Sequence, residues 1–388
     1  MRALPRLLPL ALFALLVGHG ATARAEPGLF NLLVGSYTGG SSQGLYVYRF
    51  NSRNGQIDGP LRIVKASNPS FLTLSRDGRT LFAVNENGRG SNGDTIGRVT
   101  SYRFEPGNGR LQQISQVKSL GDEPTHSSLS NDGKYLFVAN YSSLPEGSLA
   151  VLPIQDGGVL SPVAQIEFHQ PSEQHPRQQS SHVHATVTTP DGRFVFAPDL
   201  GADKVFVYRY LPQQPERPLV AAETPFVPVP EGSGPRHLVF SADGRYAYLT
   251  LELAGQVMAF AHQDGMLRQL QSYSLTPQEF VGERDAGALH LSGDGRFLYV
   301  ASRGTDNQLA VFAVNPDGTL TFVERHSVNG LSPREFAIDP SGRYLLVANQ
   351  KSNQLKVFAR DPDSGKLGDE LQSLDVGAPS DLKFVAVP

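Results

Sequence analysis

Short runs of alternating apolar and polar residues recur along the chain, and turns that contain glycine separate them. The clearest unit joins an Asp-Gly or Ser-Gly turn to an apolar segment, and its six copies are SRDGRTLFAVNE (75–86), SNDGKYLFVANY (130–141), TPDGRFVFAPDL (189–200), SADGRYAYLTLE (241–252), SGDGRFLYVASR (292–303) and DPSGRYLLVANQ (339–350). Such a turn between alternating segments is the strongest local signal for a β-hairpin, because glycine supplies the positive φ that the turn requires. The turn glycines lie 47 to 59 residues apart, which indicates a tandem repeat.

A second turn follows each hairpin roughly twenty residues further on, which completes a unit of four strands. These outer turns are EPGNGRL (105–111), IQDGGVL (154–160), LPQQPERPL (211–219), HQDGML (262–267), NPDGTL (315–320) and DPDSGKL (361–367). Four strands in a meander of about fifty residues have the size of one blade of a β-propeller.

The two ends of the chain together supply one further blade. An outer turn at 51–57 (NSRNGQI) has no inner hairpin before it, so the segment 31–64 provides only the outer three strands of a blade. The segment 379–385 resembles the missing innermost strand, and pairing it with the N-terminal strands removes a sheet edge. We therefore predict an all-β, seven-bladed β-propeller, whose ring is closed by N- and C-terminal strands that share one blade. No linker divides residues 26–388, which form a single domain.

The first 25 residues have the three regions of an export signal in order. Arg2 and Arg6 give a positive start, residues 7–17 are an apolar run, and Ala23 to Ala25 form a small-x-small cleavage site. The apolar run is too short to span a bilayer as a helix. The sequence thus predicts a cleaved signal peptide at 1–25, a periplasmic location, and no membrane association afterwards.

Charge and cysteine content narrow the functional classes. Removal of the signal, which holds three arginines and no acid, moves the net charge from −3 to −6. A mildly acidic chain without basic runs argues against nucleic acid as a partner. The chain has no cysteine, so it has neither a disulfide nor a thiol nucleophile, and its stability depends on a hydrophobic core. The sequence leaves the oligomeric state open, a homodimer included.

Candidate site residues lie at two positions of each repeat, eight residues before and eight residues after the turn glycine. Both positions lie at the strand ends opposite the turn, about 20 Å from it, and converge on one mouth of the central channel. The earlier position holds Ser70, Thr125, His184, Arg236, Gly287 and Arg334, and the later one holds Glu86, Tyr141, Leu200, Glu252, Arg303 and Gln350. A purely structural repeat would use similar residues in each copy, so this divergence favours a functional site over a merely solvated mouth.

Several of these side chains could perform hydrolysis. A carboxylate such as Glu252 between Arg236 and Arg303 would be ionised and could orient or deprotonate a water. Guanidinium groups stabilise a developing oxyanion, and a histidine such as His184 can carry a proton. No Ser–His–Asp arrangement is evident, so attack by activated water is the simplest mechanism. The structural alternative for Glu252 and Arg236 is an ion pair that closes the end of their hairpin.

Five further polar residues near the mouth are assigned to substrate binding. This group comprises His182, Asp199, His237, Arg334 and Glu86. His182 and His184 form an HxH pair whose side chains share one face of an extended strand, but a metal site would need more ligands, with Asp199 as the only obvious one nearby. We predict no metal and no cofactor.

Longer segments of the chain resemble the seven-bladed lactonase family. They are SHVHATVTTPDGRFVFAPDLGADKVFVYRY (181–210), GSGPRHLVFSADGRYAYLTLE (232–252), DGRFLYVASRGTDNQLAVF (294–312), SPREFAIDPSGRYLLVANQ (332–350), VGSYTGGSSQGLYVYRF (34–50) and NPSFLTLSRDGRTLFAVNE (68–86). The family contains cytoplasmic 6-phosphogluconolactonases and the fungal carboxy-cis,cis-muconate lactonizing enzyme. Its proposed catalytic histidine, two arginines and glutamate fall by motif on His184, Arg236, Arg303 and Glu252. One departure is Ala288, where relatives often carry an acid, and Asp285 or Glu283 could compensate for it.

Taken with this resemblance, the export signal indicates which lactone is hydrolysed. 6-Phosphogluconolactone is an intracellular metabolite that a periplasmic enzyme would not meet, whereas glucono-1,5-lactone is formed in the periplasm by oxidation of glucose. We therefore predict a carboxylic ester hydrolase that converts this sugar lactone to gluconate. The alternatives are a 6-phosphogluconolactonase, a muconate-type cycloisomerase, and a non-enzymatic propeller that binds a partner through its mouth.

Overall fold

The repeated hairpins form seven antiparallel sheets arranged as a ring. The computed structural model describes residues 28–91, 93–142 and 147–388, so the predicted export signal at 1–25 lies outside the described residues. Among these residues there is no helix long and apolar enough to cross a membrane. The all-β fold predicted from the alternating pattern is confirmed.

The strands, 29 in the described part of the chain, average about seven residues, and the longest connection is the segment 168–186 between β12 and β13. The first fourteen are β1 (Leu29–Ser36), β2 (Gly44–Asn51), β3 (Gln56–Lys65), β4 (Pro69–Leu74), β5 (Thr80–Asn85), β6 (Arg98–Glu105), β7 (Arg110–Lys118), β8 (Asp122–Leu129), β9 (Tyr135–Ser142), β10 (Leu149–Gln155), β11 (Val159–Leu160), β12 (Gln165–Glu167), β13 (Val187–Thr188) and β14 (Phe194–Asp199). The others are β15 (Lys204–Tyr210), β16 (Leu219–Pro228), β17 (Pro235–Phe240), β18 (Tyr246–Leu251), β19 (Gln256–Gln263), β20 (Met266–Ser274), β21 (Ala286–Leu291), β22 (Phe297–Ser302), β23 (Gln308–Val314), β24 (Leu320–Ser327), β25 (Pro333–Ile338), β26 (Tyr344–Asn349), β27 (Gln354–Arg360), β28 (Leu367–Asp375) and β29 (Pro379–Ala386).

Each sheet is one blade, and in blades 2 to 7 the strands run in sequence order from the channel to the outside. Blade 2 is β4–β7, blade 4 is β13–β16, blade 5 is β17–β20, blade 6 is β21–β24 and blade 7 is β25–β28. Blade 3 contains β8–β11 and a fifth strand, β12. Two short strands share the outer edge of β10, since β11 pairs with one end of it and β12 with the other. The sequence pattern of four strands per unit therefore holds in every blade except this one.

Blade 1 closes the ring in the way that the sequence predicts. Its strand order is β29-β1-β2-β3, and the antiparallel register sets Asn31 opposite Val385 and Leu32 opposite Phe384. Leu382 on β29 then packs into an apolar cluster with Leu346 of blade 7. The two chain ends are thus held both by backbone hydrogen bonds and by burial.

The core consists of seven apolar clusters, one at each interface between neighbouring blades. In the cluster between blades 4 and 5, for example, Phe196 packs near Phe240 with ring centroids 5.1 Å apart. Side chains alternate across each strand, so both faces of a blade carry apolar residues toward a neighbour. This arrangement explains how a chain without disulfides buries enough apolar surface to be stable.

Bulges at the mouth ends of the innermost strands position the polar side chains. The register shifts after Pro69, Pro124, Pro235, Ala286 and Pro333, next to the residues that the sequence places at the mouth. A β-bulge inserts one extra residue and re-aims the side chains around it. In blade 4 the innermost strand is regular only at β13, and a single bridge between Val183 and Asp199 precedes it.

A pair of turn glycines allows packing and backbone strain to be separated. Gly318 has φ +82°, and an added Cβ would lie 2.1 Å from Cδ1 of Tyr246, whereas Gly133 has φ +71° and no atom within 4 Å of that point. Both Gly→Ala variants carry the backbone cost of a positive φ, but only Gly318→Ala adds a clash. We expect Gly318→Ala to lower the free energy of unfolding by roughly 1–3 kcal/mol more than Gly133→Ala in denaturant titrations. Equal losses would contradict this packing.

Candidate active site

A polar cavity of about 330 Å³ lies at the mouth to which the sequence assigns the site. It is lined by Glu86, Glu123, Thr125, Tyr141, Arg177, His184, Glu252, Asp285, Arg303, Ser332, Arg334, Gln350 and Lys351. Larger grooves lie elsewhere on the ring, and two of them, of about 530 and 880 Å³, lie at the hairpin end and share Lys383. The mouth cavity concentrates the charged groups and is the candidate active site.

Glu252 is the centre of the strongest charge cluster in this cavity. One of its oxygens, Oε2, accepts a hydrogen bond of 2.8 Å from Nε of Arg236 and lies 3.0 Å from Nη2 of Arg303. Nε2 of His184 is 3.8 Å from the same oxygen. The structure thus brings together all four residues to which the family resemblance assigns catalysis.

Burial and neighbouring charges set the protonation states in this cluster. Burial alone would raise the pKa of Glu252, but Arg303 and Arg236 more than offset it and hold the pKa below the usual range. Burial lowers the pKa of His184 well below its ordinary value, and the charge of Arg236 lowers it further. Near neutral pH, Glu252 is therefore an ionised carboxylate and His184 an uncharged imidazole.

Arg236 lies beneath the cavity rather than on its wall. Its side chain is 1% exposed, and burial, with the nearby Arg303, lowers its pKa to about 10, which still leaves it charged at neutral pH. Its Nη1 and the Nδ1 of His184 make no hydrogen bond to any described residue. A buried guanidinium with an unsatisfied donor is costly in a purely structural element, which favours a functional role for this pair.

Asp285 holds Arg303 from the other side. The Nη2 and Nε atoms of Arg303 lie 2.7 and 3.2 Å from Oδ1 of Asp285. Burial raises the pKa of Asp285. Ala288 is fully buried in the apolar cluster between blades 6 and 7. Of the two acids that could compensate for it, Asp285 contacts Arg303.

A second carboxylate, Glu86, lines the same cavity as Glu252. Its Oε2 accepts hydrogen bonds from the hydroxyls of Tyr37 (2.7 Å), Ser70 (2.5 Å) and Thr125 (3.2 Å). Nη2 of Arg334 lies 3.5 Å from Oε1 of Glu86. Blades 2 and 7 flank blade 1, so closure of the ring places these two predicted binding residues next to each other.

The other three predicted binding residues do not line the cavity. Asp199 is fully buried and accepts backbone hydrogen bonds from His182, Gly201 and Ala202, as well as one from Ser181. His169 Nδ1 lies 2.8 Å from it as well. These contacts fix the segment before β13, so the structure gives Asp199 a role in holding the wall of the site.

His182 and His237 flank His184 without reaching the cavity surface. The His182 ring stacks on Tyr141 with centroids 4.4 Å apart, and Nδ1 of His182 contacts the backbone carbonyl oxygen of Tyr141. The His237 ring packs edge-on to His184 at 5.2 Å. Among the described residues, no group of three or more histidines and carboxylates is arranged to hold a metal ion.

Comparison with known proteins identifies the family. The sequence profile described as "Lactonase, 7-bladed beta-propeller" matches residues 31–384, from β1 to β29. The chain belongs to this family. The resemblance that the repeat motifs carry is thereby confirmed.

The lactonase-family relatives bear two kinds of name. The periplasmic gluconolactonase PpgL of Pseudomonas aeruginosa is 66% identical, with a TM-score of 0.92 over 93% of this chain and 100% of its own. A putative 6-phosphogluconolactonase from Bacteroides fragilis is 35% identical, with a TM-score of 0.85 over 92% and 98% of the two chains. The 6-phosphogluconolactonase of Bacillus subtilis is 32% identical over 356 residues, or 91% of this chain and 97% of its own.

One prominent side chain of this lactonase-family cavity was missed by the sequence reasoning. Arg177 contacts Oε1 of Glu252 at 2.5 Å and the hydroxyl of Tyr141 at 2.7 Å, both through Nη2. It lies in the irregular segment 168–186 between β12 and β13, outside the two repeat positions that predict the mouth. The available signal was the length of that segment, because long loops on a rigid scaffold often carry functional residues.

Proposed function

We propose that this protein is a periplasmic lactonase that hydrolyses an unphosphorylated sugar lactone, such as glucono-1,5-lactone, to gluconate. The observation that carries the proposal is an ionised Glu252 held between Arg236 and Arg303 beside an uncharged His184 in the mouth cavity. The 66% identity to a protein named periplasmic gluconolactonase supports the substrate class.

Glu252 is suited to hold and deprotonate the attacking water. Its Oε2 is occupied by Arg236 and Arg303, which fix the carboxylate, while Oε1 contacts Arg177, a residue of the cavity wall. A positioned base accelerates such a step by roughly 10²–10⁴-fold. His184 faces the same carboxyl group and, being uncharged, can pass the proton to the leaving ring oxygen.

Arg303 is suited to stabilise the negative charge that develops on the lactone carbonyl oxygen. Its side chain lines the cavity, and Asp285 and Glu252 hold the guanidinium in place. A fixed donor in a site that excludes water stabilises a transition state because it does not need to reorganise. The proposed reaction therefore needs no nucleophilic side chain and no cofactor.

The charge balance of the cavity favours an uncharged substrate over a phosphorylated one. Four carboxylates and four basic side chains line it. Arg177, Arg303 and Arg334 are each within 3.5 Å of a carboxylate oxygen, and only Lys351 at the rim lacks such a partner among the described residues. A phosphate monoester carries nearly two negative charges and would have to break these pairs. A neutral sugar lactone brings no negative charge that competes with the carboxylates for these arginines.

Export of the protein is part of the proposal. The signal-like segment 1–25 precedes a chain that is similar, over 93% of its length, to a protein named as periplasmic. Cleavage after Ala25 would leave a mature chain that begins at Glu26, two residues before the first described residue. The homodimer that the sequence leaves open stays a prediction.

A lactone panel on the mature chain tests the proposal. We expect kcat/KM for glucono-1,5-lactone to exceed that for its 6-phosphate by at least about tenfold, which is about 1.4 kcal/mol of transition-state preference. Acid release is followed with a pH indicator, against a blank without enzyme and with and without a chelator. The reverse preference would instead indicate a 6-phosphogluconolactonase. Turnover of muconates alone would indicate a cycloisomerase, and no turnover of any compound would indicate a binding module.

A further inference from the structure

The two oxygens of Glu252 have different surroundings. Oε2 contacts Arg236 and Arg303, whose side chains are 1% and 8% exposed. Oε1 contacts Arg177, whose side chain is 45% exposed. One oxygen is therefore anchored by buried groups, while the other is covered by a guanidinium that solvent reaches.

The backbone that carries Arg177 is held on both sides. Gln178, which is fully buried, donates from its backbone N–H to the carbonyl oxygen of His175 at 2.8 Å and from Nε2 to that of Leu200 at 2.8 Å. The N–H of Ser172 donates to the carbonyl oxygen of Gly201 at 2.8 Å. A displacement of Arg177 from Glu252 therefore needs only rotation of its long side chain, and not opening of the segment.

The position of Arg177 conflicts with water activation by the free protein. A water that gives its proton to Glu252 must reach Oε1, and Arg177 occupies that oxygen. The arginine also adds a positive charge next to a carboxylate whose pKa Arg303 and Arg236 already hold below the usual range. A carboxylate with such a low pKa is a weak base. The cluster needs to lose one guanidinium contact before it can act.

We propose that Arg177 is a further catalytic residue, which leaves Oε1 of Glu252 when the lactone enters and binds the carbonyl oxygen of the substrate. This inference rests on the proposed lactonase function. It assigns Arg177 a second oxyanion donor role beside Arg303, since both guanidinium groups reach the same carboxylate from different sides. It also explains why Oε1 is contacted by the most exposed of the three arginines, while the two buried ones hold Oε2.

The reaction balances with these groups alone. Water adds to the carbonyl carbon, its proton goes to Oε1 of Glu252, and the C=O electron pair moves to the oxygen bound by Arg177 and Arg303. The tetrahedral intermediate then collapses, the bond between the carbonyl carbon and the ring oxygen breaks, and Glu252 gives up its proton, which His184 passes to the ring oxygen. The carboxylic acid formed releases its own proton to solvent, and its carboxylate leaves the two arginines.

Movement of Arg177 also changes the strength of the base. Removal of a positive charge from Oε1 disfavours the ionised form and raises the pKa of Glu252 in the complex. The carboxylate is then ionised and paired in the free protein but more basic once substrate is bound. The same displacement thus uncovers the proton acceptor, raises its basicity and supplies a donor to the oxyanion.

The test compares Arg177→Met and Arg177→Lys with the wild type on glucono-1,5-lactone. We expect Arg177→Met to lower kcat by about 100-fold with a much smaller change in KM, because the guanidinium binds the oxyanion of the transition state more strongly than the neutral carbonyl oxygen of the substrate. Arg177→Lys keeps the charge and retains more of the rate. Arg217→Met is the matched control, since Arg217 is also exposed and lies 3.7 Å from a carboxylate oxygen, of Glu167, away from the cavity.

The pH profile separates this role from a structural one. Without the charge of Arg177, the pKa of Glu252 in the free protein rises, so the acid limb of kcat/KM moves to higher pH in Arg177→Met and stays in place in Arg177→Lys. An active wild type with an Arg177→Met variant of equal kcat and unchanged acid limb overturns this inference and leaves the lactonase function standing. A wild type without lactonase activity overturns both.

Discussion

Replacement of Glu252 with Gln is expected to lower kcat/KM for glucono-1,5-lactone by about 10³-fold or more. The amide has nearly the same shape but accepts no proton at neutral pH, so the general-base contribution is lost. It also removes the negative charge against which Arg236 and Arg303 are packed at 2.8 and 3.0 Å. The measurement is steady-state acid release by purified wild type and variant at equal concentration.

Stability must be followed in the same experiment, because this carboxylate is 2% exposed. Removal of one partner of a buried ion pair costs about 3–5 kcal/mol, and an amide that still accepts hydrogen bonds from the two arginines is expected to cost less than that. Glu335→Gln is the matched control. Glu335 is buried, lies 2.6 Å from His290, and is absent from the cavity wall.

The comparison of the two glutamine variants decides the role of Glu252. Glu335→Gln is expected to reduce the melting temperature about as much as Glu252→Gln does and to keep most of the wild-type kcat/KM. A folded Glu252→Gln protein that turns over the lactone at the wild-type rate would contradict the role of Glu252 as the base. Comparable losses of activity in both variants would point to loss of fold rather than loss of a base.

Removal of β29 is expected to abolish cooperative folding. A chain that ends at Ala378 lacks the innermost strand of blade 1, so β1 loses a seven-residue antiparallel pairing and presents an open edge. The cluster between blades 7 and 1 loses Leu382, and Leu72 of blade 2 loses its hydrogen bond to Asp381. The measurement is thermal unfolding by circular dichroism, together with the soluble yield.

The matched control removes only the two residues after β29. Val387 makes one backbone hydrogen bond to Leu29 of 3.1 Å, and Pro388 is exposed, so a chain that ends at Ala386 keeps the whole blade. Its melting temperature is expected to stay within about 3 °C of the wild type, the shift that ~1 kcal/mol produces in a domain of this kind. A cooperative wild-type transition in the chain that ends at Ala378 would show that closure of the ring contributes little to stability.

Much of the fold is readable from the sequence because the information is local. The turn at Gly295 and the alternation in the following strand specify a hairpin without reference to the rest of the chain, and six such hairpins specify a ring of blades. Even the shared blade follows from local patterns, since segment 31–64 lacks an innermost strand and segment 379–385 is an unpaired one. The extra strand β12 was not foreseen, because three residues carry too little periodicity to be recognised.

The site was only partly predictable, because some of its residues are placed by local strand geometry and others by contacts between distant segments. Glu252, Arg303 and Glu86 could be placed at the mouth because the distance along a strand from turn to end is nearly constant. Arg236 is also next to the mouth, but a bulge at β17 directs its side chain beneath the wall, toward Glu252. A bulge depends on the pairing of two strands and leaves little trace in one sequence.

The sequence by itself therefore determined that this is a seven-bladed propeller of the lactonase family and that its chemistry lies at one mouth, because strand periodicity and turn geometry act over a few residues. Only the tertiary structure decided which charges meet there. Arg334 and Glu86 belong to blades 7 and 2 and become neighbours through closure of the ring, and Arg177 reaches Glu252 from an irregular segment that no repeat predicts. Contacts between distant parts of a chain depend on how its elements pack, and packing is a property of the whole ring.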